Sequence, residues 1–399
     1  MTRNRHTLLV AVGMAVVLSS PALLAQGGGV AVYEVGTPNL GEAYAGQAAV
    51  ASDASTAFLN PAGMTRLPGT HLLAGSQVDL LSARFLPAPA AGISGGGGGN
   101  AGGMFLLPSA YFTRSLNDRF TIGLSVNSPF GLGLHYNDKW AGRYEVQQIR
   151  LAVTEVMPSA AYRANRWLSV GAGLSLERAS LAENLAIPTP FGDGQLRMRL
   201  TGWSTGYHAG VLLQPDDRTR IGVTYRSEVG FTLKGNVPFR VPLSLPRGAN
   251  LSLYRDLSPK FTLLADTGWT NWRNFGRPNW RDTWRAGLGM RWRLAVRTMF
   301  HAGASYDSSP VSYWDRTPDL PVDRQWRLAF GVTRNIDRFA SIALSATYAD
   351  LGSGRIENSR LSGRYGAARL PFISLSFLFG PGTETQRAAA RSSKLTAQR

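Results

Sequence analysis

Four histidines follow residue 25: His71, His135, His208 and His301. A serine hydrolase needs a histidine within hydrogen-bond reach of its nucleophile, and no Ser-His motif surrounds any of the four, so the sequence does not read as an enzyme. The glycine run Gly95 to Gly99 lacks the Lys-Ser/Thr partner of a phosphate-binding loop. No catalytic residue, metal ligand set or cofactor site is expected. Arginine is the residue type left with a chemistry to offer. Arg285, Arg291 and Arg293 recur on one polar face, and Arg226 and Lys234 on another. A guanidinium grips a carboxylate bidentately. The same cations are also placed to pair with Glu177, Glu228 and Asp266 in a structural ladder. Two apolar features stand beside them. Asn60-Pro61-Ala62 reads as a tight turn, because Pro fixes φ and lacks a donor while Asn caps or turns. Phe130, Leu132, Leu134, Tyr136 and Trp140 crowd the otherwise polar stretch 128–150. Such a cluster marks a capture surface for an apolar ligand, or packs the loop against its neighbours.

The elements that position these residues have a period of two. From Arg220 to Lys234 the odd positions read Ile, Val, Tyr, Ser, Val, Phe, Leu, and the even ones are polar, charged or glycine. Alternation is the strand signature. This run is about three times the usual globular strand, and long enough for a tilted membrane strand, which needs about 9–11 residues. The split recurs at 120–127, 168–177, 284–293 and 341–348. Short turns at Asn117-Asp118, 164–166, 214–217, 256–259, 294–296 and 335–339 alternate with long polar connections. The long ones are about 82–103, 128–150, 182–198, 235–246, 271–282, 307–324 and 350–370. Membrane barrels have short periplasmic turns and longer outer loops. Six short and seven long links join fourteen strands. Closure removes every unpaired edge, as lipid demands. The expected fold is all-β: a 14-stranded antiparallel transmembrane β-barrel over 69–379, whose last strand, Phe372 to Phe379, is rich in aromatics.

The ends fit that compartment. Arg3, Arg5 and His6 precede the apolar stretch Leu8 to Leu18, and Ser19, Ser20 and Pro21 break it, so residues 1–25 read as a secretory signal peptide. The chain has no cysteine, hence no disulfide framework. Its formal net charge of +17 often points to nucleic acid. An exported chain meets instead the phosphates and carboxylates of lipopolysaccharide in a bacterial outer membrane. Residues 26–68 are rich in Gly and Ala without long alternation, which suits a compact N-terminal hatch plugging the lumen. Residues 380–399 read as a disordered basic periplasmic tail. A monomer is expected.

Segment 40–64, LGEAYAGQAAVASDASTAFLNPAGM, resembles the hatch of the long-chain fatty acid outer-membrane transporters, a family that also includes aromatic-hydrocarbon uptake channels. PFGLGLHYNDKWAGRY (129–144), TYRSEVGFTLKGN (224–236), YDSSPV (306–311) and TPDLPVDRQW (317–326) extend the likeness in order and spacing. The resemblance implies passive uptake of long-chain fatty acids or similar hydrophobic molecules. Ligand is captured by outer loops, bound in the lumen and released past the hatch, sideways into the bilayer. It gives Asn60, Pro61 and Ala62 a gating role. It places a ligand-contacting base near Arg273 and Arg277, which join Arg226 and Arg285 as candidate carboxylate-binding residues. No basic residue stands in 182–187, where the family has another contact.

Overall fold

The computed structural model describes residues 35–88 and 95–381. Fourteen antiparallel strands form a closed barrel. In chain order they are β1 (Thr70–Leu80), β2 (Met104–Ser115), β3 (Phe120–His135), β4 (Gln148–Arg163), β5 (Leu168–Thr189) and β6 (Gly192–Asp216). Then β7 comes in two pieces (Thr219–Arg226, Val229–Gly235), as does β8 (Val241–Leu245, Gly248–Asp256). The series ends with β9 (Phe261–Thr270), β10 (Thr283–Ala295), β11 (Thr298–Asp307), β12 (Gln325–Asn335), β13 (Ala340–Asp350) and β14 (Ser362–Phe379). Each strand pairs with the next, and β1 closes on β14 from Leu72↔Phe379 to Asp79↔Phe372. Two short strands, Ser82–Pro87 and Ile356–Glu357, extend the wall beside the start of β14. The expected signal peptide, residues 26–34 and all of the expected tail beyond Pro381 lie outside the described residues.

The apolar positions face outward. Leu174, Trp203, Trp284, Leu288, Phe330 and Leu344 are all exposed, which is what a wall bathed in hydrocarbon requires. Their neighbours point inward and are small or polar. Many are glycines, and packing explains why. A Cβ on Gly210 would lie 2.0 Å from the Asn60 side chain, one on Gly222 2.0 Å from the Ala48 carbonyl, and one on Gly303 2.1 Å from the Glu42 carbonyl. Inward glycines form the seat on which an inner segment rests.

That inner segment is residues 35–67. It folds as a 3-10 turn (Pro38–Glu42), two single-turn helices (Gln47–Val50, Thr56–Leu59) and a second 3-10 turn (Pro61–Arg66). The first turn touches β10 to β14, and the last touches β2 to β6. The segment therefore crosses the lumen from one wall to the other. Ala43, Tyr44 and Ala51 hold positive φ, at 50, 66 and 43°. Side chains with a Cβ seldom adopt that region, and each such residue costs on the order of 1–3 kcal/mol unless its surroundings hold it.

One expected connection is different. Stretch 182–198 is no loop: β5 runs to Thr189, β6 starts at Gly192, and a two-residue turn joins them. At 22 and 25 residues these strands far exceed the roughly 9–11 a bilayer needs, so their hairpin projects past it. The polar residues Glu183, Asn184, Gln195 and Arg197 hid the strand because this part of the wall lies beyond the hydrocarbon.

Candidate functional site

The inner segment is fastened at two points. Glu42 is fully buried, and Arg291 Nε on β10 donates to its Oε1 at 2.5 Å. His301 Nδ1 on β11 lies 2.5 Å from the same oxygen, and His301 Nε2 is 2.9 Å from the Thr333 hydroxyl on β12. Burial pushes the Glu42 carboxyl up, but the Arg291 guanidinium and the contact with His301 outweigh it and hold the group below the usual carboxylate range. The second point is Asn60. Its amide donates to the Ala48 carbonyl at 2.6 Å and to Val211 O on β6 at 3.1 Å, and its side-chain oxygen accepts from Ala62 N at 3.1 Å. Pro61 opens the last 3-10 turn, where its missing donor costs nothing. The turn expected at Asn60-Pro61-Ala62 is present, and the asparagine ties it to the barrel wall.

Between this segment and the outer ends of the strands lies a cavity of about 150 Å3. Phe58, Leu59 and Pro61 form its floor; Phe130, Tyr225 and Trp269 are among its walls. Its lining is mainly apolar. Arg226 and Arg285 are the two cations that reach it. Neither is spare. Arg226 donates to Glu155 at 2.7 Å and to Glu177 at 3.1 Å, and Arg285 is paired with Asp266. Asp307, also on the lining, is paired with Arg327. The ladder envisaged from Glu177 and Asp266 is formed, while Glu228 instead accepts from the Asn274 amide. The other two candidate cations lie in the connection after β9, outside this cavity. Arg277 is paired with Asp319, and Arg273 is exposed, its backbone N–H reaching Asp282.

The apolar group at 128–150 corrects an expectation. Phe130, Leu132 and Leu134 lie on β3 rather than in a loop, and all three are buried, as are Tyr136 and Trp140 just beyond. The alternation with Gly131 and Gly133 continues the strand. The Tyr136 and Trp140 rings stack at 3.9 Å, and the Tyr136 hydroxyl meets that of Tyr365 at 2.5 Å. These residues pack a core at the outer end. Only Phe130 among them lines the cavity, with the Arg226 guanidinium 4.8 Å over its ring.

The wall has a seam beside Phe130. β2 pairs with β1 up to Leu80↔Met104, but with β3 only from Ala110↔Val126 to Ser115↔Thr121. Past Val126 the β3–β4 register shifts between Asn127 and Phe130, so Ser128 and Pro129 bulge and β3 leaves β2. The two sides meet again where His135 N donates to Ala101 O at 2.8 Å. The Phe105 ring fills the interval, packed so close to Gly133 that a Cβ there would lie 2.6 Å away.

Sequence reasoning missed Glu42, the seam and the cavity. An acid in a Gly/Ala-rich segment, facing a barrel rich in inward arginines, was the signal for Glu42. The Ser128-Pro129 pair, which interrupts an alternating run, was the signal for the seam.

Comparison with known proteins agrees with this architecture. Residues 18–372 match the family described as outer membrane protein transport protein (OMPP1/FadL/TodX). The chain is 26% identical over 424 residues to the long-chain fatty acid transport protein of Escherichia coli O6:H1, covering 86% of this chain and 92% of that one. It is 29% identical over 259 residues to outer membrane protein P1 of Haemophilus influenzae; that match spans 53% of this chain and only 56% of its relative. Among solved structures, a Pseudomonas aeruginosa FadL homologue superposes with a TM-score of 0.78 at 20% identity, covering 88% and 99% of the two chains. The toluene transporter TodX of P. putida gives 0.63 at 17%, covering 83% and 95%. At such identities the structures establish the fold. The chain is no enzyme: it is an outer-membrane β-barrel belonging to the outer membrane protein transport (OMPP1/FadL/TodX) family.

Proposed function

We propose that the barrel carries hydrophobic molecules passively from outside the cell into the outer-membrane bilayer. Its cavity favours compact, uncharged ones, of the size of a single aromatic ring. The neutralised, mainly apolar cavity above the inner segment carries this reading. Cavities near 150 Å3 lined by apolar side chains hold a benzene-sized guest. Both cations on its wall already have carboxylate partners. A free carboxylate entering there would have to displace Glu155, Glu177 or Asp266, leaving a buried charge uncompensated at a cost of several kcal/mol.

In this reading residues 35–67 act as a plug, anchored through Glu42 and Asn60. A solute arriving from the outer end rests on Phe58, Leu59 and Pro61. Its exit is the seam between β2 and β3, which opens when the Phe105 ring turns aside. Phe130, on the bulged side of that seam, lines both the cavity and the route. Leaving sideways keeps an apolar molecule out of water.

Long-chain fatty acids are the second reading, favoured by the name of the E. coli relative, which aligns over 92% of its length. Uptake by a host lacking its own such transporters separates the two. Expressing this chain should speed entry of toluene or ethylbenzene more than entry of oleate. Faster oleate entry with no change for the aromatics would replace the first reading by the second. No change for either would end both.

A further inference from the structure

Arg226, Arg285, Arg291 and Arg327 inside the lumen have carboxylate partners; a group on the outside has none among the described residues. Strand register places five on one patch of the outward face, near the outer ends of β4 to β7. Arg150, Ala182 and Arg199 stand side by side on β4, β5 and β6, because Arg150 pairs with Ala182 and Ala182 with Arg199. One row toward the outer end are Gln148, Asn184 and Arg197. One row toward the membrane are Ala152, Ser180 and Thr201, with Lys234 of β7 beside Thr201. The next row holds Thr154, Arg178 and Trp203. Strands stand about 4.8 Å apart and same-face residues about 6.7 Å apart, so the patch is roughly 14 by 20 Å.

Its orientation is fixed by the neighbours. Leu151, Val153, Ala179, Met198, Leu200 and Leu233 alternate with the cations and are buried in the outer core. The positions named in these four rows include no aspartate or glutamate. Arg178, Arg197, Arg199 and Lys234 are exposed and Arg150 half-buried. Among the described residues none of the five has an ion-pair partner; Arg197 donates to the Gln195 side chain, and Arg178 lies 6.0 Å over the Trp203 ring. Directly below come Leu176, Leu174 and Tyr207, all exposed on the lipid-facing wall. Trp and Tyr mark the level where hydrocarbon meets head groups. The patch therefore sits at head-group height, on the side of the long connections.

We propose that this face binds the phosphorylated head group of an outer-leaflet glycolipid, of the lipid A type. Phosphate is the anion that clustered arginines grip with paired donors. A lipid with two phosphates on a rigid sugar core and several acyl chains matches both halves of the surface. The cations take the phosphates, and Leu174, Leu176 and Tyr207 take the chains. Sharing one lipid across β4 to β7 holds the long β5–β6 hairpin upright beside the pore mouth.

Native mass spectrometry of the full chain in detergent tests this, with diphosphoryl, monophosphoryl and dephosphorylated lipid A as probes. Retention should fall with each phosphate removed. The variant Arg178→Gln/Arg199→Gln/Lys234→Gln should bind the diphosphoryl form at least about tenfold more weakly, since each cation near a membrane surface adds a several-fold factor. Arg119→Gln/Arg166→Gln/Arg338→Gln removes the same charge from the short-turn end and should leave binding unchanged. Equal retention of the three lipids by the unaltered chain overturns the proposal, with no variant required. So do equal losses from both variants, which indicate attraction by net charge alone. Displacement of lipid by inorganic phosphate at equal phosphate concentration also overturns it, by marking an anion site rather than a lipid site. If the diphosphoryl lipid fails while a second copy of the chain is retained through the patch, the face is a protein interface and the proposal falls.

Discussion

The barrel wall and the segment inside it are held by opposite means. The wall repeats one device fourteen times, apolar residues out and small or polar residues in, on strands whose ladder is interrupted at the β2–β3 seam and again between β6 and β7, from Thr201↔Lys234 to His208↔Arg226. The inner segment has single-turn helices, three non-glycine residues at positive φ, and specific polar anchors at Glu42 and Asn60. Its fastening is concentrated in these two anchors. The difference predicts that mutations inside should alter the plug and leave the wall standing.

The largest effect belongs to Glu42→Gln. It removes the buried carboxylate that Arg291 and His301 both meet, and breaking such a buried pair costs about 3–5 kcal/mol. The wall should keep its heat-resistant gel migration, while protease cleavage within 35–67 and entry of small polar antibiotics both rise. An equally protected segment would remove the contrast between the two regions. Asn60→Ala comes next, losing two bonds to backbone carbonyls and the cap on Ala62 at about 1–3 kcal/mol. Uptake should fall with the amount of folded barrel unchanged; normal uptake would sink the gating role of this residue. Gly222→Ala probes the same contact from the wall. The new methyl meets the Ala48 carbonyl at 2.0 Å, and such overpacking costs roughly 1–3 kcal/mol. It should loosen the segment as Asn60→Ala does, read by hydrogen exchange in 47–50. Ala43→Gly is the smallest and has the reverse sign. It relieves a φ of 50° and should slow cleavage of the segment severalfold, for a gain of about 0.5–1 kcal/mol. Faster cleavage would mean that the methyl's packing outweighs the backbone strain.

The wall was legible because lipid on one side and a packed lumen on the other force a period of two on every strand. Arg220 to Lys234 shows it, and the rhythm of short and long links shows where strands end. Legibility failed where the chain leaves the bilayer. At 182–198 polar residues interrupt the alternation, yet the stretch forms the longest hairpin of the barrel. In 128–135 the apolar residues suggested an exposed loop, although Gly131 and Gly133 continue the strand. The site was half legible. Asn60-Pro61-Ala62 could be singled out, but what Asn60 holds depends on Val211, 151 residues away. Arg226 and Arg285 could be placed on an inward face with Glu177 and Asp266 among the acids open to them. Which acid meets which arginine, and that Glu155 joins Arg226, is set by strand register, and register is invisible in a single sequence. Glycine belongs to the polar face in the sequence, and only the fold shows that inward glycines such as Gly210 are the seat of the inner segment.

The central claim is that solutes pass through the cavity above that segment. Thr224 faces it from β7, where an indole would fill most of its 150 Å3. The deciding measurement is entry of labelled toluene into cells expressing Thr224→Trp, against cells expressing the unaltered chain at equal levels of folded barrel. The account predicts that entry falls to the rate of cells without the protein. Entry at the unaltered rate would contradict it, because the solute would then be crossing the membrane by a route that avoids the lumen.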